Sequence, residues 1–163
     1  MTVGGSIVVR LADDSDAELI SSWTRAAEVS QFWGGHEIPL DDVLAKYTGR
    51  RAPEVVSYVI TESGQSVGYL QAWQGGERFG LDMFLSAEAQ GRGIGSRTAH
   101  AMAVELTARG WTPLTVDPAS DNARAIRAWR SAGFVPSGEL GTDDGRTTQI
   151  MYFSAGEAAI QES

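Results

Sequence analysis

Gln90-Gly91-Arg92-Gly93-Ile94-Gly95 sets three glycines at alternate positions between an apolar run ending at Leu85 and a helical pattern beginning near Ser96. Glycine admits positive φ and lets an anion approach the main chain, while a helix N-terminus offers unsatisfied N–H donors and a partial positive charge. Arg92 adds a full charge. The stretch asks for an anionic, phosphate-bearing cofactor. It is not a dinucleotide fingerprint, since it lacks the third glycine of GxGxxG and falls mid-chain, nor a P-loop, since no Gly-Lys-Ser/Thr ending is present. A tight turn that caps a helix is the plain alternative.

A second candidate is Asp82. Strands are depleted in aspartate, yet this one stands among Leu81, Met83, Phe84 and Leu85 in an otherwise apolar strand pattern. A solvent-facing edge charge is the ordinary reading of such a residue. Its nearness to the glycine loop favours chemistry.

The elements that must position these residues read as mixed α and β. Residues 7–11 form a first strand, and Ser15-Asp16-Ala17-Glu18 has the form of a capping box before Leu19, Ile20, Trp23 and Ala27 at helical spacing. A loop, FWGGHEIP, precedes a short helix carrying Val43, Leu44 and Tyr47. Residues 55–62 and 66–73 form a hairpin about Ser63-Gly64-Gln65, and 79–85 adds the strand that enters the glycine loop. Residues 96–109 read as a helix stopped by Gly110, 114–116 as a short buried strand, and 120–132 as a helix stopped by Gly133. A strand from Phe134 to about Leu140, the turn Asp143-Asp144-Gly145 and a last strand at 147–153 complete the order. The sequence from Ser154 onward reads as a loosely held tail.

Bulk properties narrow the function. A chain of 163 residues with 42% apolar content is expected to form one domain, 1–163, with its core at about 8–153. The absence of cysteine excludes disulfides, thiolate metal sites and a cysteinyl acyl intermediate, and no metal is expected. A formal charge of -8 argues against nucleic acid and suits a cationic partner. No apolar run is long enough to span a membrane, and MTVGGSIVVR lacks a secretory pattern, so a cytoplasmic protein is expected, monomeric or homodimeric.

The order of elements, with a glycine loop after the fourth strand and an Asn-led helix after the fifth, resembles the GCN5-related N-acetyltransferases (GNAT) over roughly Val8–Phe153. Gln90–Gly95 resembles that family's Q/R-x-x-G-x-G/A pyrophosphate loop, and Asn122 through Gly133-Phe134 resembles its N-x-x-A-x-x-x-Y-x-x-x-G-F helix. The resemblance implies an α/β (α+β) fold with one mixed, mostly antiparallel sheet of about seven strands flanked by helices, its fourth and fifth strands splayed apart. It implies acetyl-CoA as cosubstrate. Gln90, Gly91, Arg92, Gly93, Ile94, Gly95 and Ser96 would hold the pyrophosphate, main-chain groups of Phe84 and Leu85 the thioester, and Asn122 the pantetheine arm. As a plain reading, Asn122 is a helix N-cap, a duty for which Ser120 competes. Trp129 stands where the family carries a tyrosine, and indole donates a hydrogen bond without surrendering its proton, so packing is its expected role.

Within the family the resemblance is greatest to aminoglycoside 6'-N-acetyltransferases, through Trp33-Gly34-Gly35, Gly68-Tyr69, Gly80–Leu85, Asp117-Pro118 and Asn122–Arg127. It implies that Asp82 is the catalytic carboxylate and that Asp117 and Asp144 hold ammonium groups of a cationic acceptor. An attacking amine must lose a proton, so Asp82 acts as a base, through water, or by orienting the ammonium. Asp117 before Pro118 and Asp144 before Gly145 equally suit turns. Trp33 and Glu37, with His36, lie in one loop that could line the acceptor cleft, Trp33 either as a stacking face or as a core anchor, Glu37 and His36 either there or as plain surface residues. The segment Gln74-Gly75-Gly76-Glu77 is shorter than the acidic insertion often present in those enzymes. A siderophore-type acyltransferase and a non-catalytic acyl-CoA-binding domain are the competing readings.

Overall fold

The computed structural model describes residues 1–155. Its strands are β1 (Thr2–Gly4), β2 (Ile7–Leu11), β3 (Val55–Glu62), β4 (Gln65–Gly75), β5 (Arg78–Leu85), β6 (Leu114–Val116), β7 (Phe134–Asp143) and β8 (Arg146–Phe153). Its α-helices are α1 (Ala17–Trp23), α2 (Ala27–Ser30), α3 (Leu40–Lys46), α4 (Ile94–Ala108) and α5 (Ala123–Ser131). One sheet carries the strands in the order β1-β2-β3-β4-β5-β6-β8-β7, and the β5-β6 pair is parallel. Most of the expected tail lies outside the described residues.

The sheet has eight strands where about seven are expected, because β1 adds an antiparallel edge to β2. Three residues are too few to show an alternation, and the glycines that follow read only as a turn. The expected fourth and fifth strands are therefore β5 and β6. Their ladder pairs Phe79 with Leu114 and Gly80 with Thr115, at the start of β5.

Several boundaries move for identifiable reasons. The capping box sits two residues earlier than expected: Asp13 accepts from the Ser15 amide while Asp16 Oδ2 accepts from the Asp13 amide at 2.9 Å. Arg10 fixes the Asp16 carboxylate there through contacts of 2.7 and 2.9 Å. Ala27 begins α2 rather than continuing α1. The hairpin after β3 turns on two residues, Ser63 and Gly64, with φ of 51° and 81°, as a type I′ turn requires. Helix α4 starts at Ile94, two residues before the expected Ser96. Helix α5 starts at Ala123 because Asn122 caps it, and β7 continues to Asp143 past an irregularity between Pro136 and Leu140 that breaks its alternation.

The described chain divides into two compact units, one of residues 1–74 and 82–95, the other of 75–81 and 96 onward. In the first, β2, β3 and β4 pair antiparallel, and Ala17, Ile20, Val29, Ile38, Val43, Val59, Tyr69 and Phe84 form a buried cluster. In the second, helix α5 turns Arg124, Arg127 and Arg130 outward and buries Trp129, whose ring meets Phe134 edge-on at 5.3 Å. Phe134 in turn packs on Phe153 at 5.3 Å.

Candidate active site

In the first unit, β5 leads through a short 3-10 turn at Ala87–Ala89 into the glycine loop. Gln90 Nε2 donates to the Leu85 carbonyl at 3.2 Å, tying the loop to the end of the strand. Gly91 and Gly93 hold φ of 81° and 77°, conformations that L side chains rarely adopt, and a Cβ at Gly93 would meet nothing within 4 Å. Ile94 and Gly95 are buried at the start of the 15-residue α4, where a Cβ on Gly95 would stand 3.3 Å from Met83 Cε. Positive-φ glycines opening onto a helix N-terminus suit a pyrophosphate. Arg92 donates from Nη1 to Glu62 Oε1 at 2.9 Å.

Asp82 is half-buried on β5 and accepts from Gln71 Nε2 at 2.9 Å. Gln71 Oε1 accepts from the Tyr69 hydroxyl at 3.0 Å and from Arg51 Nη2 at 3.3 Å, and the Tyr69 hydroxyl also meets Ser57 Oγ at 2.8 Å. Burial pushes the Tyr69 hydroxyl well above its ordinary pKa, so it remains a donor at neutral pH. Gln71, Arg51 and Ser57 were not singled out in the sequence, and Tyr69 figured there only in the matched Gly68-Tyr69 segment. The available signal was the period-two placement of Tyr69 and Gln71 on one face of β4, opposite Ser57 in the β3 ladder.

Aromatic rings surround Tyr69. Trp33 meets Phe84 edge-on at 4.9 Å and Tyr69 at 6.0 Å, and Tyr47 meets Tyr69 at 5.1 Å. Trp33 Nε1 donates to the Tyr47 hydroxyl at 3.2 Å, so Trp33 anchors its loop to the core cluster. Burial pushes the Tyr47 hydroxyl up, opposed by this hydrogen bond. Glu37 is exposed and paired with Arg25 at 2.6 Å, while His36 Nδ1 lies 2.9 Å from the Glu37 carbonyl.

Gly68 makes a close approach possible. A Cβ there would fall 2.7 Å from the Phe84 carbonyl oxygen and 2.7 Å from Leu85 Cδ2. Only a glycine lets β4 lie this near the main chain of Phe84 and Leu85.

In the second unit, Asn122 Oδ1 accepts from the Ala125 amide at 3.1 Å, so Asn122, and not Ser120, is the α5 cap. The Nδ2 group of the same amide is a donor. Asp117 is half-buried after β6, and burial raises its carboxyl above the ordinary range, with the Asp143 carboxylate adding to the rise and Arg78 opposing it. Asp144 is exposed at φ 48° in the β7–β8 turn, a conformation the Asp-Gly turn demands. Trp129 is packed in the core, as expected. Among the described residues, no group of three or more His, Cys, Asp or Glu is placed to hold a metal ion.

The family model described as "Acetyltransferase (GNAT) domain" matches residues 13–142. The chain belongs to the GNAT acetyltransferases. One relative of this GNAT protein is aminoglycoside N(6')-acetyltransferase type 1 of Klebsiella pneumoniae, 30% identical over 167 aligned residues that cover 90% of this chain and 82% of the relative. The fold is that of AAC(6')-Ib solved with paromomycin and acetyl-CoA, with a TM-score of 0.84 at 23% identity, covering 98% of this chain and 99% of that one. AAC(6')-Ib solved with coenzyme A and kanamycin gives a TM-score of 0.82 at 22% identity, covering 97% and 100%. No helix of this GNAT among the described residues is long and apolar enough to cross a membrane.

Proposed function

We propose that this GNAT transfers the acetyl group of acetyl-CoA to the 6'-amino group of aminoglycosides, directly within a ternary complex, its units acting as one N-acetyltransferase domain in the cytoplasm. The observation that carries the reading is the Asp82 carboxylate, held by Gln71 beside an aromatic cluster, in a chain 30% identical to an aminoglycoside 6'-acetyltransferase.

The first unit supplies the glycine loop, Gln90 to Gly95, whose main-chain donors, with that of Ser96 in the first turn of α4 and the charge of Arg92, would neutralise pyrophosphate. Main-chain groups of Phe84 and Leu85 would bond the thioester region, where a donor aimed at developing negative charge lowers the barrier. Acetyl-CoA supplies an activated acyl carbon: the amine nitrogen bonds to that carbon, the C–S bond breaks, the sulfur leaves with the electron pair, and the proton that nitrogen sheds on becoming an amide goes to the thiolate or to water. Asp82 holds the substrate ammonium and takes its proton, directly or through water, leaving the neutral amine that attacks. Trp33 and Glu37 are assigned to the acceptor side, Trp33 with its ring fixed by Tyr47 and Phe84.

The second unit supplies Asn122, whose Oδ1 is spent on the helix cap and whose Nδ2 is assigned to the pantetheine arm. Asp117 and Asp144 are assigned to further ammonium groups, with the Asp143 carboxylate adding its charge near Asp117. Packed against Phe134, Trp129 takes no part in proton transfer.

The deciding measurement is thiol release from acetyl-CoA across an acceptor panel. Kanamycin and tobramycin should turn over, and analogues with a 6'-hydroxyl should not. Turnover of a hydroxylysine-type siderophore amine with none on the antibiotics would replace this reading by its competitor.

A further inference from the structure

Gln71 carries a role that the loop and carboxylate motifs do not describe. A carboxylate can only accept and a guanidinium can only donate, so the amide has one orientation compatible with all its neighbours: Nε2 toward Asp82, Oε1 toward Arg51 and Tyr69. Tyr69 is fully buried and stays protonated, and its proton goes to Gln71, so Ser57 must donate to the Tyr69 oxygen. The hydrogen bonds therefore run in one direction, from Ser57 through Tyr69 and Gln71 to Asp82. Ser57 and Gln71 face each other in the β3-β4 ladder, and Ser57 and Tyr69 are buried, so this chain is set on rigid strands rather than loops.

We infer that Gln71, fixed by Tyr69 and Arg51, is a positioning residue that orients the Asp82 carboxylate for the acceptor amine. The inference rests on the functional reading above. A neutral amide is suited to this task. It fixes one carboxylate oxygen without cancelling the negative charge that attracts an ammonium, as a direct ion pair would. A carboxylate has about four acceptor sites, so one donor from Gln71 does not exhaust it. Gln71 acts through Asp82 and is assigned no contact with the reacting atoms.

The test compares Gln71→Leu and Gln71→Glu with the wild-type enzyme in the thiol-release assay, each also combined with Asp82→Asn. Leucine removes every bond that Gln71 makes, whereas an ionised glutamate keeps acceptors for Arg51 and Tyr69 but has no proton to donate to Asp82. Both single variants should lose about tenfold or more in kcat, a change typical of small misplacements of a reacting group, with the KM for acetyl-CoA within about twofold. In the Asp82→Asn background neither should cause a further fall, because residues that act as a unit are non-additive. Wild-type kcat in Gln71→Glu, or losses that multiply with that of Asp82→Asn, overturn the inference. Should Gln71→Leu lower the melting temperature too far to assay, the glutamate variant decides alone. A wild-type enzyme that releases no thiol with any aminoglycoside overturns the functional reading itself, an outcome distinct from active enzyme with indifferent Gln71 variants.

Discussion

Glu62 on β3 holds Arg92, the cation of the glycine loop, at 2.9 Å with the guanidinium half exposed. An anion arriving at the loop competes with Glu62 for that charge. Exposed ion pairs of this kind contribute about 0.2–1 kcal/mol, so Glu62→Gln should lower the KM for acetyl-CoA by about 1.4- to fivefold at low salt. The gain should shrink as ionic strength rises. Steady-state kinetics at two salt concentrations measures it, and an unchanged KM at low salt would remove Arg92 from cofactor binding.

Asp82→Asn keeps the shape of the side chain and abolishes its charge. The variant should lose about 10²-fold or more in kcat, the usual contribution of a positioned acid or base. Acetyl-CoA affinity, measured by calorimetry, should stay within about twofold, because the residues assigned to that cofactor are elsewhere. A variant with full kcat would show that the ammonium is held and deprotonated by something else.

For Asp117 the sign of the pH effect follows from its raised carboxyl pKa, caused by burial first and by Asp143 second. Ionising a group whose folded pKa lies above its ordinary value costs stability, and this cost is absent below the ordinary value of 3.8 and complete once the pH has passed the folded pKa. Asp117→Asn should therefore raise the melting temperature at neutral pH, with the gain fading as the pH is brought down toward 3.8. The same variant should raise the KM for aminoglycosides. Thermal melts across pH together with acceptor kinetics separate a carboxylate kept for binding from one kept for the turn.

Gly68→Ala puts a methyl group 2.7 Å from the Phe84 carbonyl oxygen. Relief requires backbone movement, since a carbonyl cannot rotate away as a side chain can. A cost of about 1–3 kcal/mol is expected, which lowers the melting temperature by about 2–10 °C. Because the displaced main chain is that of Phe84 and Leu85, kcat should fall as well. A variant as stable and as active as wild type would mean that β4 has room to retreat.

Much of this architecture was legible along the chain because its signals are local. The Ser63-Gly64 turn, the Gly110 and Gly133 stops and the apolar stripe of α4 each depend on residues a few positions apart, and the order they produce carried the family resemblance. What escaped depends on distant partners. The capping register at Asp13 and Asp16 is set with Arg10 across a strand end, and the relay to Asp82 joins Arg51, Ser57, Tyr69 and Gln71 from three segments. No spacing rule links those segments, beyond the period of two that puts Tyr69 and Gln71 on one face of β4. Asn122 shows an intermediate case, where local sequence offered a cap and a cofactor contact as rivals, while the amide has one atom for each.

The anion cradle proposed at Gly91 and Gly93 would be built from main chain, and this shapes how the protein can drift over generations. Exchange of the exposed Arg92 would weaken such a site without dismantling it, because every residue type except proline carries the same N–H. Only changes that forbid the two left-handed conformations, of 81° and 77°, would close it. Acceptor recognition, as proposed, has no such insurance, since it would hang on individual carboxylates. A lineage of such proteins would therefore keep its acyl donor while its choice of amine wanders.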